Sequence, residues 1–234
     1  MSLICKQLFE HDSSTFTYLL ADSVTREAAI IDAVDSMIER DIALIQELEL
    51  DLKFIIETHI HADHITSACP LKKSFPLAKI VIGIENTDAE ACADIMVGEG
   101  HILPIGEHEI AAIETPGHTP GCMSYLVDDK VFTGDALFIR STGRCDFQGG
   151  SASTLYHSIH KLFRLPDSTL VYPAHDYNGF TVSTIGEEKE YNSLIRLDFD
   201  EKTFVKKVGN LNLEPPKKIN TAVPANHSCG LIRN

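Results

Sequence analysis

The chain carries the segment Thr58-His59-Ile60-His61-Ala62-Asp63-His64 directly after an apolar run that ends at Glu57. Three histidines and one aspartate therefore fall within six residues. Imidazole and carboxylate groups are natural ligands for zinc, iron or manganese, and a turn that leaves a strand can aim alternate side chains at one point. The segment predicts a metal site in preference to a polar loop that is merely rich in histidine.

Three further segments end a strand-like run with a histidine or an aspartate. They are Thr115-Pro116-Gly117-His118-Thr119-Pro120-Gly121, Val131-Phe132-Thr133-Gly134-Asp135 and Leu170-Val171-Tyr172-Pro173-Ala174-His175-Asp176. Taken alone, His118 reads as a loop residue and Asp135 as a helix cap or turn former. Because neighbouring strand ends of one sheet converge in a crevice, a shared metal explains all of these segments together.

Strands and helices alternate along the chain, which indicates one layered α/β or α+β domain over residues 1–234. Strands are predicted at 4–9, 16–20, 28–32, 52–57, 79–84, 109–114, 123–127, 130–133 and 169–172, and helices at 36–48, 154–163 and 201–208. Ser36 and Glu39 form a predicted capping box for the first helix. A polar tail containing Pro215, Pro216 and Pro224 is expected after the last helix.

Composition limits the classes of function. Hydrophobic residues make up 44% of the chain and charged residues 23%, as in ordinary globular proteins. The net charge of −14 argues against a nucleic-acid partner. The lack of a long apolar run and of a basic-then-apolar start predicts no membrane association and a cytoplasmic location. The six cysteines form no CxxC pair, so reduced thiols are expected.

The HxHxDH segment, the PGHTPG turn and the GD and PAH strand ends resemble the metallo-β-lactamase-like hydrolase superfamily over residues 59–175. This resemblance implies an αββα sandwich. Relatives commonly hold two zinc ions, which would place His59, His61, His118 and Asp135 at one ion and Asp63, His64, His175 and the shared Asp135 at the other.

Residues 133–140 and 143–150, with 172–177, 179–184 and 209–213, resemble the persulfide dioxygenases, also called ethylmalonic encephalopathy protein-like enzymes. That resemblance implies a single ferrous ion on His59, His118 and Asp135, the facial pattern of oxygen-using iron enzymes. Such a site leaves three open positions for a substrate sulfur and dioxygen. The other four residues, His61, Asp63, His64 and His175, would then support the ligands through hydrogen bonds.

Three residues are candidates for substrate contact. A guanidinium can hold a carboxylate by two parallel hydrogen bonds, so Arg144 and Arg140 are candidates for an anionic substrate such as glutathione. A surface ion pair is the alternative for either arginine. Tyr177, beside His175, is a third candidate, whereas nothing marks the Cys145 thiolate as an activated nucleophile.

The resemblance to the persulfide dioxygenases implies a glutathione persulfide dioxygenase with one Fe²⁺ per chain, dioxygen as co-substrate and a homodimeric state. The alternative is a dinuclear, zinc-containing hydrolase of S-acylglutathione thioesters of the glyoxalase II kind. Those enzymes carry a longer helical C-terminal part with basic glutathione contacts, which this sequence does not show. A non-enzymatic metal-binding regulator is a third hypothesis, against which the intact ligand set argues.

Overall fold

The computed structural model describes residues 2–89 and 91–231, which form two six-stranded sheets packed face to face. The first sheet contains, in spatial order, β1 (Leu3–Glu10), β2 (Thr15–Asp22), β3 (Glu27–Ile31), β4 (Asp51–Ile56), β5 (Lys79–Gly83) and β6 (Ile95–Val97). Strands β1 to β3 pair antiparallel, whereas β3 to β6 pair parallel. Parallel pairing brings the carboxyl ends of β3 and β4 to the same edge, where the histidine-rich segment follows β4.

The second sheet contains β7 (Ile102–Ile105), β8 (His108–Glu114), β9 (Met123–Val127), β10 (Lys130–Gly134), β11 (Leu170–Pro173) and β12 (Ser183–Thr184), in the spatial order β12-β11-β10-β9-β8-β7. Its β10 and β11 pair parallel, and its other neighbours pair antiparallel. The parallel pair delivers Asp135 and His175 side by side, because each of these residues follows the carboxyl end of its strand.

Among the described residues, six α-helices cover the two sheets. They are α1 (Ile38–Glu47), α2 (Ala68–Ser74), α3 (Ala152–Leu162), α4 (Ile185–Tyr191), α5 (Glu201–Gly209) and α6 (Ile219–Asn226). One apolar cluster lies between the sheets, a second lies between the first sheet and α1 and α2, and a third lies between the second sheet and α3 and α5. On β2, Tyr18 and Leu20 belong to the first cluster and Leu19 to the second, because alternate side chains of a strand point to opposite faces. The αββα sandwich predicted from the sequence is confirmed.

All nine predicted strands are present, and the structure adds three short ones, β6, β7 and β12. The unpredicted helices α2, α4 and α6 are also short, and α6 contains Pro224 in what the sequence indicated to be a tail. An internal proline removes one helical hydrogen bond. Burial of Ala222, Ala225 and Asn226 compensates for that loss.

The predicted capping box of α1 is wrong. Ser36 lies in a 3₁₀ turn, Asp35–Met37, and Met37 occupies the N-cap without a side-chain hydrogen bond. The backbone N–H of Ser36 instead donates to the Asp35 carboxylate at 2.8 Å. A local hydrogen bond of this kind competes with capping because it uses the same short polar segment.

The prediction of six reduced thiols is wrong for one pair. Cys92 and Cys229 form a disulfide, with Cα atoms 5.9 Å apart across a sequence separation of 137 residues. Cys5, Cys69, Cys122 and Cys145 are free thiols. Sequence spacing carries no signal for such a long-range pair, which forms because α6 returns to the edge of the first sheet. No helix in residues 2–89 and 91–231 has the length and apolarity needed to cross a bilayer.

Candidate metal centre

The segment after β4 is fixed to the end of β3 by a buried carboxylate. The Thr58 backbone N–H donates to Asp32 Oδ1 at 2.8 Å, and the Thr58 hydroxyl donates to Asp32 Oδ2 at 2.8 Å. The same hydroxyl oxygen lies 3.0 Å from His59 Nδ1 and can accept its proton. This arrangement leaves His59 Nε2 as the free ligand atom, in the way that outer hydrogen bonds orient metal-binding histidines.

His118 and Asp135 reach the same point from the second sheet. His118 Nδ1–H donates to the Arg144 carbonyl at 2.6 Å, which leaves Nε2 3.4 Å from Asp135 Oδ2. Asp135 follows Gly134, whose φ is +52° and at which an added Cβ would lie 2.7 Å from the Thr58 side chain. A glycine is required there because the strand end passes close to Thr58 with a left-handed backbone.

We call His59, His118 and Asp135 the front group. One ligand atom from each lies within 4.8 Å of the other two. Asp135 Oδ1 is buried and accepts no hydrogen bond from the described residues. A buried carboxylate oxygen without a partner, held beside two oriented imidazoles, fits a bound divalent cation.

The donors of a second metal also lie together. His61, Asp63 and His64 place ligand atoms within 4.8 Å of one another. His175 Nε2 lies 3.6 Å from Asp63 Oδ2 and 3.5 Å from Asp135 Oδ1, while its Nδ1–H donates to the Ser14 carbonyl at 3.1 Å. The structure thus brings together all seven histidine and aspartate residues that the sequence singled out, so the donor set by itself admits one metal or two.

His61 differs from the other histidines because it faces two buried carboxylates. Its Nε2 lies 3.1 Å from Asp32 Oδ1 and 3.5 Å from Glu57 Oε2. We call Asp32, Glu57 and His61 the rear group. Burial opposes protonation of His61, but the Asp32 and Glu57 carboxylates outweigh burial and hold the pKa of His61 well above its usual value.

The pKa of His59 shifts in the opposite direction. Burial, followed by the neighbouring His61 and His118, holds the pKa of His59 well below its usual value. A neutral imidazole is the form that binds a metal. Sequence reasoning missed Asp32 and Glu57, although each of them ends a predicted strand, which is the signal that identified Asp135.

The front group opens onto a cavity of about 490 Å³. Its wall includes His118, Asp135 and His175 from the metal centre, Phe138, Ile139, Arg144 and Tyr177 from the second sheet side, and Leu211, Leu213, Glu214 and Pro216 from the segment after α5. Apolar walls with a few converging polar groups are typical of small-molecule sites. The contribution of Leu211 and Leu213 was not predicted, although both lie in the 209–213 segment that carried the family resemblance.

Arg144 lines this cavity but has little capacity left for a ligand. It donates to both Asp146 oxygens at 2.6 and 2.8 Å and to the carbonyls of Glu214 and Leu213 at 2.6 and 3.0 Å. Four of the five guanidinium N–H groups are therefore used. The guanidinium fork predicted for a substrate carboxylate holds the Asp146 carboxylate, and two further N–H groups bind the segment after α5.

Arg140 lies outside the cavity wall. Its guanidinium pairs with Glu187 at 2.6 Å and with the fully buried Glu188, and it donates to Ser183 at 3.0 Å. The structure thus places Arg140 in an ion pair, which is the alternative that the sequence left open. Tyr177 does line the cavity, and its ring stacks on His175 with 5.9 Å between centroids.

Comparison with known proteins identifies the family. The family model described as the Metallo-beta-lactamase superfamily matches residues 12–175. The mitochondrial persulfide dioxygenase ETHE1 of Mus musculus is 47% identical over 98% of this chain and 89% of its own length, and that of Homo sapiens shows the same values. The crystal structure of ETHE1 from Myxococcus xanthus is 45% identical, covers 97% of this chain and 100% of its own, and superposes with a TM-score of 0.93.

These relatives correct one prediction. The mouse and human proteins are described as mitochondrial, which contradicts the cytoplasmic location expected from the start of the sequence. Composition at one end of a chain is a weak guide to location, because a targeting signal is short and separate from the fold.

The fold, the convergence of the histidine and aspartate side chains and the sequence similarity along nearly the whole chain all indicate the same family. The chain belongs to the Metallo-beta-lactamase superfamily and, within it, to the persulfide dioxygenase family.

Proposed function

We propose that this protein is a glutathione persulfide dioxygenase that uses one ferrous ion on His59, His118 and Asp135. Its family makes it an oxygen-using oxidoreductase. The observation that carries the proposal is the front group itself, with three ligand atoms within 4.8 Å of one another and the unpartnered Asp135 oxygen beside an apolar cavity.

The proposal of a single metal rests on membership of the persulfide dioxygenase family. His61 Nε2 lies beside Asp32 and Glu57, whereas His61 Nδ1 has no hydrogen-bond partner among the described residues, so His61 by itself is compatible with one metal or two. The front group then supplies two histidines and one aspartate, the ligand set that leaves open positions on an octahedral iron. Asp63, His64 and His175 remain beside the site to hold protons and water.

The overall reaction converts glutathione persulfide, dioxygen and water into glutathione, sulfite and two protons. A ferrous ion bound to the front group would supply the redox chemistry between dioxygen and the terminal persulfide sulfur. The protein positions the substrate and restricts water. Phe138, Leu211 and Leu213 provide the apolar wall for this purpose.

Substrate contacts are proposed for Arg144 and Tyr177. Arg144 retains one N–H beside the cavity and can donate a single charge-assisted hydrogen bond to a glutathione carboxylate. Tyr177, which is 69% exposed at the mouth, offers a ring edge and a hydroxyl. Arg140 pairs with Glu187 and Glu188 instead and does not line the cavity.

The second candidate is a dinuclear hydrolase of S-acylglutathione thioesters. The proximity of His61, Asp63 and His64, with ligand atoms within 4.8 Å, favours it. In that case zinc ions held by these residues and the front group would supply the activation of water needed for thioester hydrolysis.

Metal analysis of protein purified without added metal, together with oxygen uptake on glutathione persulfide, tests the proposal. We expect about one iron per chain and persulfide-dependent oxygen uptake, both lost in His118→Asn and retained in His157→Asn, which alters an exposed histidine of α3. Two zinc ions, no oxygen uptake and hydrolysis of S-lactoylglutathione would replace the dioxygenase by the hydrolase. Light scattering of the same preparation tests the expected homodimer.

A further inference from the structure

Residues 59–64, which carry the metal ligand His59 and its neighbours, make no backbone–backbone hydrogen bond with the residues that the structure describes. The carbonyls of His61 and His64 accept their hydrogen bonds from a side chain, and the Ile60 carbonyl accepts from Gln148 Nε2 at 2.9 Å. Buried carbonyl groups need partners, and a segment outside the sheet ladder must obtain them from elsewhere in the fold. The position of the ligands therefore depends on residues remote in sequence.

One residue supplies most of these partners. Asn226, at the end of α6, donates from Nδ2 to the His61 carbonyl at 2.9 Å and to the His64 carbonyl at 2.8 Å. Its Oδ1 accepts from the Thr66 backbone N–H at 2.9 Å. The side chain is 3% exposed, so water does not compete for these bonds.

An amide is the only common side chain of this size that fits the three groups. Asparagine offers two N–H donors and a carbonyl acceptor, which match two carbonyls and one N–H. Aspartate has the same shape but would place a carboxylate oxygen against the His61 and His64 carbonyls. Leucine would leave all three backbone groups buried and unpaired, which is unfavourable because buried polar groups need hydrogen-bond partners.

The end of α6 is itself anchored next to the segment. Cys229 is bonded to Cys92, and its carbonyl accepts from the Cys69 N–H at 3.0 Å. At Gly230, with φ +86°, an added Cβ would lie 1.9 Å from the Thr66 carbonyl oxygen. This close approach holds Asn226 in register with the ligand segment.

We propose that Asn226 is a positioning residue of the metal centre, which sets the geometry of residues 59–64 and thereby the affinity for the metal. The inference rests on the metal site alone and not on persulfide chemistry. Loss of a residue that orients metal ligands typically costs about 10–100-fold in metal affinity.

The test is an anaerobic titration of the metal-free protein with Fe²⁺ for the wild type, Asn226→Asp and Asn220→Asp. Asn220 is an exposed asparagine of the same helix, so its variant introduces the same charge without touching the ligand segment. We expect the Fe²⁺ dissociation constant to rise by about 10–100-fold in Asn226→Asp and to remain unchanged in Asn220→Asp. We also expect an altered electron paramagnetic resonance spectrum of the nitric oxide adduct of bound Fe²⁺ in Asn226→Asp, because the ligand geometry changes.

Asn226→Ala is the second variant, since it leaves space for water and avoids the new charge. A folded variant that binds Fe²⁺ with wild-type affinity and spectrum would overturn the proposal. Failure of both variants to fold would also overturn it, because Asn226 would then serve chain stability. If the wild type does not bind Fe²⁺, the iron-dependent function fails, and the same comparison with Zn²⁺ still tests the role of Asn226.

Discussion

The front and rear groups both combine histidine with carboxylate side chains, but they differ in the surroundings of their carboxylates. Both oxygens of Asp32 in the rear group accept hydrogen bonds from Thr58, and Glu57 Oε1 accepts from the Thr66 hydroxyl. One oxygen in each group, Glu57 Oε2 and Asp135 Oδ1, has no hydrogen-bond partner among the described residues, but Asp135 lines the cavity and Asp32 and Glu57 do not. Residue type therefore permits metal binding at both places, and the position of Asp135 at the cavity wall favours the front group.

The largest expected effect follows from replacing the Asp135 carboxylate. In Asp135→Asn we expect iron content to fall below about a tenth of the wild-type value and oxygen uptake on glutathione persulfide to fall by about 10³-fold or more, because the metal contributes several kcal/mol to lowering the barrier. Elemental analysis and an oxygen electrode measure the two quantities. Iron retained at one per chain would show that the front group is not the metal site.

Asp32→Asn tests the rear group and should act on stability. The variant keeps one acceptor for Thr58 but loses the charge that faces His61. We expect the free energy of unfolding of the metal-free protein to fall by about 2–3 kcal/mol in urea titrations, since hydrogen bonds to charged groups contribute about that much. Iron affinity should fall by about 10–100-fold, which is less than in Asp135→Asn, because Asp32 acts on the metal only through Thr58 and His59. A loss of iron equal to that of Asp135→Asn would show that the front and rear groups contribute equally to metal binding.

The next comparison is between Arg144, which lines the cavity, and Arg140, which pairs with Glu187 and Glu188. Each arginine is replaced by alanine. We expect Arg144→Ala to raise KM for glutathione persulfide by about tenfold, equivalent to about 1.4 kcal/mol, because one charge-assisted hydrogen bond and the anchor of residues 213–214 are lost. Arg140→Ala should lower thermal stability, since Glu188 is left buried without its partner, and should leave KM unchanged. Equal KM effects would place Arg140 in the substrate site.

The smallest expected effect concerns Asp22, a carboxylate outside both groups. Backbone N–H groups of Glu107, Thr25 and Val24 lower the pKa of Asp22 from 3.8 to about 2. A lowered pKa means that this carboxylate stabilises the fold above pH 4, and that the contribution is lost as pH falls through about 2. We expect the melting temperature to depend less on pH between 2 and 4 in Asp22→Asn than in the wild type. An identical pH profile would contradict this.

Elements with a strong local pattern were predictable from the sequence. The strand at Met123–Val127 has the predicted bounds, and α3 and α5 begin at Ser151 and Asp200 caps near the predicted starts. The short elements were not predictable, because α4 and α6 depend on packing and their own sequences contain Gly186 and Pro224. The site was predictable as a set of strand ends, and the ion pair of Arg140 was the alternative that the sequence left open, whereas the bonds of Arg144 to the Leu213 and Glu214 carbonyls were not predictable.

The sequence by itself determined the ligand types and the strand ends that present them, since both depend on local residue order. Tertiary structure decided that Asp135 lines the cavity, whereas Asp32 and Glu57 accept hydrogen bonds from Thr58 and Thr66. Local sequence does not distinguish these carboxylates, because each of them follows or ends a strand. Tertiary structure also decided the Cys92–Cys229 pair and the contact of Asn226 with the His61 and His64 carbonyls. These contacts join residues more than 130 positions apart, and no local pattern records them because either partner alone is an ordinary cysteine or asparagine.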